Sequence, residues 1–302
     1  MIIARPLLVV VYYAGVMDAN NFETNVDPLT VEGFGKEWTK FNQATLDEKE
    51  LSRAFEEYFS LVNWNDLPKN PVVMDVGCGT GRWARFVAPK VGHLHLVDPA
   101  EGALNVAKAN LQEATNCTFS VGTTQQLTVP DSSCDLIYSL GVLHHIPNTY
   151  AGIQDCIKKL KPGAPLLLYL YYRFDNRPAW FAKVWRVSDI IRKGIARLPF
   201  VLKYPISAII AIIVYWPLAR FSFAAEKLLG RNVSSWPLSY YRESPFYRMR
   251  TDSLDRFGTR LEHRFTRAEI ENMLTRAGLR NIQFRETEPF WCVIGSKPTA
   301  SI

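Results

Sequence analysis

A seven-residue stretch, Asp75-Val76-Gly77-Cys78-Gly79-Thr80-Gly81, constrains this chain more than any other. It follows the apolar run PVVM and leads into GRWARFVAPK, so a strand turns through three glycines into a helix. Glycines in that place let the backbone turn tightly and approach a ligand at the carboxyl edge of a sheet. Downstream the alternation continues: HLHLVD, CTFSVG, CDLIYSLG and APLLLYLYY read as strands, EGALNVAKANLQEA and NTYAGIQDCIKKL as helices. Strands alternating with helices predict an α/β, doubly wound parallel sheet covered on both faces. Upstream, LDEKELSRAFEEYFSL (46–61) has apolar residues at helical spacing. Near the end, FTRAEIENMLTRAGL predicts a helix opened by a Thr266/Glu269 capping box, followed by two closing strands, NIQFRE and FWCVIGS.

The glycine spacing selects among ligands. A dinucleotide fingerprint needs G-x-G-x-x-G, and counting from Gly77 the third position is Arg82. A triphosphate loop needs Gly-Lys-Ser/Thr, which is missing here. D-x-G-x-G-x-G resembles motif I of the class I S-adenosylmethionine-dependent methyltransferases, in the branch that includes ubiquinone/menaquinone-type and small-molecule enzymes. Three further matches follow in the family's order over residues 72–172: Asp98 at the end of HLHLVD, VPDSSCDLIYSLGVLHHIPN (129–148), and LKPGA (160–164).

The resemblance implies a Rossmann-like, seven-stranded, mostly parallel sheet with an antiparallel last strand. It implies S-adenosyl-L-methionine held by Asp75, Gly77, Cys78, Gly79 and Gly81, with Asp98 accepting from the ribose hydroxyls and Leu140 at the fourth strand's end. Where the family often has Gly-Asp-Ala beside the adenine, this chain has Gly122-Thr123-Thr124, which puts Thr123 and Thr124 at the adenine. His145, with His144 beside it, matches the family's L-H-H-hydrophobic stretch, and two roles stay open: general base, or positioning of the cofactor loop. Ser139-Leu140-Gly141 stands in place of the Asn/Asp-Pro-Pro-aromatic motif of base-directed methyltransferases, which argues against nucleic acid as substrate. Phe34, Trp38 and Phe41 in GFGKEWTKFNQ form a short amphipathic pattern suited to covering a cofactor or to ordinary packing.

Between strand five and the last helix the alternation stops for about ninety residues. Four segments are expected: an N-terminal extension (1–45), a cofactor-binding core (46–172), a mainly helical insertion (173–264), and a helix with two strands completing the core (265–302). Composition singles out the insertion. The chain's net charge of +6 divides into +10 over residues 173–264 and −4 elsewhere, so one segment presents a basic surface. Tyr172, Arg173, Tyr241 and Arg242 are its candidate substrate contacts, since arginine forks match carboxylate or phosphate. A small-molecule acceptor, amphipathic or phosphate-bearing, is expected; a catalytically silent cofactor-binding or membrane-associated partner protein is the alternative.

Inside the insertion, YPISAIIAIIVYWPLARF (204–221) is uncharged as far as Ala219. A spanning helix needs roughly 20 apolar residues. Pro205 and Pro217 are expected to leave only the run between them, which favours contact with an anionic membrane surface, a lid over the acceptor, or a homodimer contact over a span. The five scattered cysteines form no metal-ligand pair or disulfide framework and point to the cytoplasm, with a peripheral place at the inner membrane face. Residues 1–16 carry a short apolar run of the kind found in targeting segments, and Met17 is an alternative start.

Overall fold

The computed structural model describes residues 24–40, 48–233 and 236–299. The apolar run at 1–16, Met17, Phe41 and the first two residues of the helix expected from Leu46 lie outside the described residues. Seven strands, β1 (Val72–Val76), β2 (His93–Asp98), β3 (Cys117–Val121), β4 (Leu136–Leu140), β5 (Pro165–Tyr169), β6 (Arg280–Phe284) and β7 (Cys292–Ser296), form one sheet in the order β3-β2-β1-β4-β5-β7-β6. β7 runs antiparallel between β5 and β6, and the first five strands pair in parallel. The mostly parallel, doubly wound arrangement with an antiparallel last strand is the one the sequence predicts.

The central strands read as continuous apolar runs because both of their faces are covered. In β4, Leu136 and Tyr138 point into one core while Ile137 points into the other. Helices α1 (Pro28–Lys40), α2 (Glu48–Phe59), α3 (Ala84–Val87), α4 (Glu101–Asn110) and α5 (Thr149–Lys159) surround this sheet. α2, α3 and α4 supply one core through Phe55, Phe59, Val87 and Leu104. α5 supplies the other through Ile153, Cys156 and Ile157. The helix expected over GRWARFVAPK is shorter than that: after Val87 it tightens into a 3-10 turn, Ala88–Lys90, where Pro89 lacks the donor for another α-helical bond.

The insertion holds α6 (Ala179–Ile195), α7 (Phe200–Ile210), α8 (Trp216–Leu229) and α9 (Phe246–Gly258), and α10 (Arg267–Arg276) returns to the sheet. Thr266 and Glu269 form the predicted capping box at the start of α10. Both ends of the insertion are stapled where it leaves the sheet: the Phe265 amide donates to the Tyr171 carbonyl at 2.9 Å, and the Arg173 amide to the Phe265 carbonyl at 2.9 Å.

One expectation is overturned. Pro205 and Pro217 do not interrupt the apolar run, and α7 and α8 are parts of one continuous helix of 30 residues, Phe200–Leu229. Pro205 lies inside α7, and Pro217 follows a π-helical turn, Ala211–Tyr215. The wider winding of that turn accommodates a ring that would otherwise strike the carbonyl four residues back. By length and composition this helix is able to cross a membrane.

Candidate active site

The first turn after β1 is set by its glycines. Gly77 has φ +80°, and a Cβ there would lie 2.4 Å from both methyl groups of Val142, so no other residue fits without moving the neighbouring loop. The Gly77 and Cys78 amides donate to the Val97 carbonyl at 2.7 and 3.1 Å, pinning the loop to β2. Asp98 completes the cradle. Its Oδ2 accepts from the Gly79 amide at 2.9 Å and its Oδ1 from the Ala100 amide at 2.8 Å. Burial pushes this carboxyl up to about 6, against the pull of the two amides. Each oxygen keeps lone-pair capacity for a further donor.

Gly77, Cys78, Gly79, Asp98 and Leu140 line a cavity of about 560 Å³ at the carboxyl edge of the sheet. α1 lies across the loop, with Phe34 and Trp38 on the cavity wall. Other residues expected at the cofactor do not line this space. Gly81 faces Leu111 and Ala107, where its lack of a side chain lets the loop settle on α4. Asp75 is 2% exposed and does not line the cavity. Burial raises its carboxyl to about 8. It faces Tyr138 across the β1/β4 pairing, and the Tyr138 hydroxyl beside it works against the rise without offsetting burial. Thr124 is buried beside Gly152 with its hydroxyl unpartnered, and Thr123 precedes it at the turn after β3.

The two histidines separate cleanly. His145 lines the cavity, and its Nδ1 lies 2.7 Å from the Leu261 carbonyl. A carbonyl only accepts, so Nδ1 carries the proton and Nε2 holds the free lone pair. Nε2 has no partner among the described residues. Phe34 packs on this ring edge-on at 5.0 Å, fixing its plane. His144, by contrast, is sealed, with its ring stacked on Tyr171 at 3.8 Å and neither nitrogen bonded. Burial holds its pKa well below the usual imidazole range, so it stays neutral. It does not line the cavity, so it is not placed to take a proton from a substrate there.

On the acceptor side, Tyr172 and Tyr241 line the cavity. Arg173 and Arg242 do not: Arg173 clamps the insertion to Glu269 at 2.8 Å and to the Arg264 carbonyl, and Arg242 pairs with Glu226 at 2.7 Å. The arginines that do line it are Arg82, Arg177, Arg248, Arg256 and Arg264. Four of these are already paired. Arg177 meets Glu288 at 2.5 Å, Arg248 meets Glu50 at 3.0 Å, and Arg256 and Arg264 share Glu262 at 2.7 Å each. Arg82, stacked over Trp83, makes no ion pair among the described residues. The Tyr171 hydroxyl donates to Asp255. Single charged residues far apart in sequence gave no sign of this network.

Residues 73–163 match a family described as "Methyltransferase domain". Among curated proteins, phosphoethanolamine N-methyltransferase 2 of Caenorhabditis elegans is 31% identical over 111 residues, 36% of this chain and 25% of that one. Demethylmenaquinone methyltransferase of Listeria welshimeri is 30% identical over 119 residues, 38% of this chain and 50% of that one. The chain thus spans a quarter to a half of the length of these relatives. Among solved structures, a SAM-dependent methyltransferase of Methanosarcina mazei covers 78% of this chain and 96% of its own at 18% identity and a TM-score of 0.46. With the motif I loop, the acidic end of β2 and the 3-2-1-4-5-7-6 sheet in one ordered domain, the chain carries a methyltransferase domain of the class I, S-adenosylmethionine-dependent kind.

Proposed function

We propose that the protein transfers a methyl group from S-adenosylmethionine to a small-molecule acceptor with an apolar body, His145 taking the acceptor's proton. One observation carries this reading: the Asp98-tethered glycine loop and His145, whose Nε2 is buried without a partner, line the same cavity. Its volume of about 560 Å³ falls within the range of about 300–1,000 Å³ usual for ligand sites.

The residues present suit the cofactor. Gly77 and Gly79 leave room for backbone approach, Asp98 retains acceptor capacity for the ribose hydroxyls, and Arg82, without an ion pair of its own, would hold the methionyl carboxylate. When bound, S-adenosylmethionine supplies a sulfonium methyl group electrophilic enough for in-line displacement. The chain's own task is then to orient the acceptor, exclude water and accept a proton. The Leu261 carbonyl keeps His145 in the tautomer that presents a lone pair, and Phe34 keeps its ring from rotating. A general base at that position is worth about 10²–10⁴-fold in rate.

The acceptor's character follows from the lining. Tyr169, Tyr172, Tyr240, Tyr241, Trp236 and Phe290 offer flat apolar faces, while the arginines other than Arg82 are engaged in ion pairs with the protein's own carboxylates, Arg256 and Arg264 sharing one. A phosphate monoester would have to break those pairs. An acceptor with an apolar ring or chain and one acidic hydroxyl or carbon suits the site better, closer in character to the acceptor named for the Listeria relative than to phosphoethanolamine. The five cysteines form no disulfide, which supports a cytoplasmic setting for this reading.

Calorimetry with S-adenosylhomocysteine on wild type and on Asp98→Ala, alongside NAD, tests the cofactor half. Wild type is expected to bind the thioether and not NAD, and Asp98→Ala to bind it about 10–100-fold more weakly, the worth of a charged hydrogen bond of about 1.5–3 kcal/mol. Binding of NAD alone overturns the proposal. Turnover of labelled cofactor with a lipid-soluble extract tests the other half; binding with no transfer to any component would favour the catalytically silent alternative.

A further inference from the structure

The insertion contains a helix whose polarity is inverted. Along Phe200–Leu229 the buried positions are Ser207, Ala211, Tyr215, Ala219, Ser222 and Ala225, all but one of them small. The outward face is apolar: Ile209, Ile212, Ile213, Trp216, Phe221 and Leu228 are exposed. A surface helix in water shows the opposite order. α6 likewise leaves Val184, Val187, Ile190 and Ile191 exposed, and Ile190 is 73% exposed. Small residues inside and large apolar residues outside are what a helix presents when its outer medium is itself apolar.

The charges on this surface share one sign. Lys183, Arg186, Arg197, Lys227 and Arg231 are exposed, and between residues 179 and 231 no acidic side chain is. The two acids of that stretch are turned to other uses, Asp189 onto Arg192 at 2.7 Å and Glu226 onto Arg242 at 2.7 Å. A basic-rimmed apolar face complements an anionic lipid surface and repels a copy of itself by charge.

The helix is also held against crossing. Ser253 Oγ donates to the Ser207 carbonyl at 2.9 Å, Lys203 Nζ to the Gly258 carbonyl at 2.9 Å, and Arg220 to the Arg242 and Ser244 carbonyls at 2.9 and 3.0 Å. Bonds of this kind along its length bind its inner face to α9 and to the chain before it, so only the outer face is open to a lipid phase. That outer face meets the cavity, because Val184, Val214 and Leu218 line the cavity and are also exposed.

We propose that α6 and the Phe200–Leu229 helix dock the protein flat onto an anionic phospholipid bilayer, with the cavity opening between them at the lipid surface. A membrane-dissolved acceptor then enters the site without crossing water. That entry route rests on the methyltransferase reading; the docking does not.

The test is flotation of the full chain, without cofactor, on vesicles of phosphatidylglycerol and separately of phosphatidylcholine. Wild type is expected to float with phosphatidylglycerol, to bind phosphatidylcholine at least about tenfold more weakly, and to lose the difference in high salt. The double variant Ile213→Glu/Phe221→Glu should stay in the soluble fraction, and Arg186→Glu/Arg197→Glu should lose the preference for the anionic lipid. Both should retain wild-type circular dichroism and S-adenosylhomocysteine binding, which separates failure of docking from failure of folding or of the functional reading. Wild type left in the soluble fraction with both vesicles overturns the proposal. So does flotation that the Ile213/Phe221 variant leaves unchanged. A stable dimer that this variant dissociates, with no vesicle binding by wild type, would assign the face to a second copy.

Discussion

α5 and the Phe200–Leu229 helix are both amphipathic, and they are amphipathic in opposite senses. α5 buries Ile153, Cys156 and Ile157 against the sheet and leaves Gln154 and Lys158 in solvent. The long helix buries serine and alanine and leaves isoleucine, tryptophan and phenylalanine outside. Helical periodicity is present in each, so it identifies the element but not the medium on its far side. The same contrast extends to buried charge. In the sheet, Asp75 is buried with no salt bridge; in the insertion, buried charges come in groups.

The largest expected effect follows from one of those groups. Glu262 has a side chain 1% exposed between Arg256 and Arg264. Burial works to raise its pKa, but Arg264 and Arg256 overcome it and hold the carboxyl down at about 2. Glu262→Gln strands two arginines in a buried setting, and denaturant unfolding at neutral pH should register a loss of about 3–5 kcal/mol. The sign with pH is definite: a depressed folded pKa contributes stability above about 4.5 that disappears as pH falls towards about 2. The difference between wild type and Glu262→Gln should therefore narrow below pH 4. A constant difference would mean that Glu262 acts by packing and not by charge.

Asp75 is the opposite case, and its substitution should stabilise. Its folded pKa of about 8 stands above the unfolded value near 3.8. It therefore favours folding only while protonated, and that contribution is lost as pH rises from about 4 through about 8. Asp75→Asn removes the ionisation and keeps a carbonyl oxygen to accept from the Tyr138 hydroxyl. A gain on the order of 2 kcal/mol is expected at pH 7, shrinking at pH 5. A gain independent of pH would place the carboxyl's pKa outside that interval.

How much of this was legible beforehand depended on how local the chemistry was. Gly77, Gly79 and Asp98 belong to a turn whose strain and hydrogen bonds lie within a few residues or on the adjacent strand, so the motif carries its own geometry. The capping box of α10 is equally local. The insertion's pairings are not: Arg248 reaches Glu50 across 198 residues, and His145 takes its tautomer from Leu261, 116 residues away. The sequence therefore presents Arg173 and Arg242 as free forks for a substrate, while in the fold their carboxylates are already at hand. The prolines misled for a different reason. A proline predicts a break only in α-helical winding, and the π turn before Pro217 is a local change of winding that no residue pattern announced.

The smallest effect is also the most direct probe of the inverted helix. Ile153 in α5 is fully buried and Ile213 is 64% exposed. Ile153→Ala should lower stability by about 2–5 kcal/mol, the transfer and cavity terms of a packed isoleucine. Ile213→Ala should change it by no more than about 0.5 kcal/mol in buffer, since its side chain is mostly in water in either state. If the face is an interface between copies, Ile213→Ala would instead lower the apparent stability more at high protein concentration than at low. If the face meets lipid, the substitution would stay silent in unfolding experiments at every concentration and register only as weaker attachment to phosphatidylglycerol vesicles, where lost apolar area counts at about 25 cal/mol per Å². A residue that is nearly neutral for folding and costly for attachment would show that this surface was selected for its outer medium, whereas Ile153 was selected for the core.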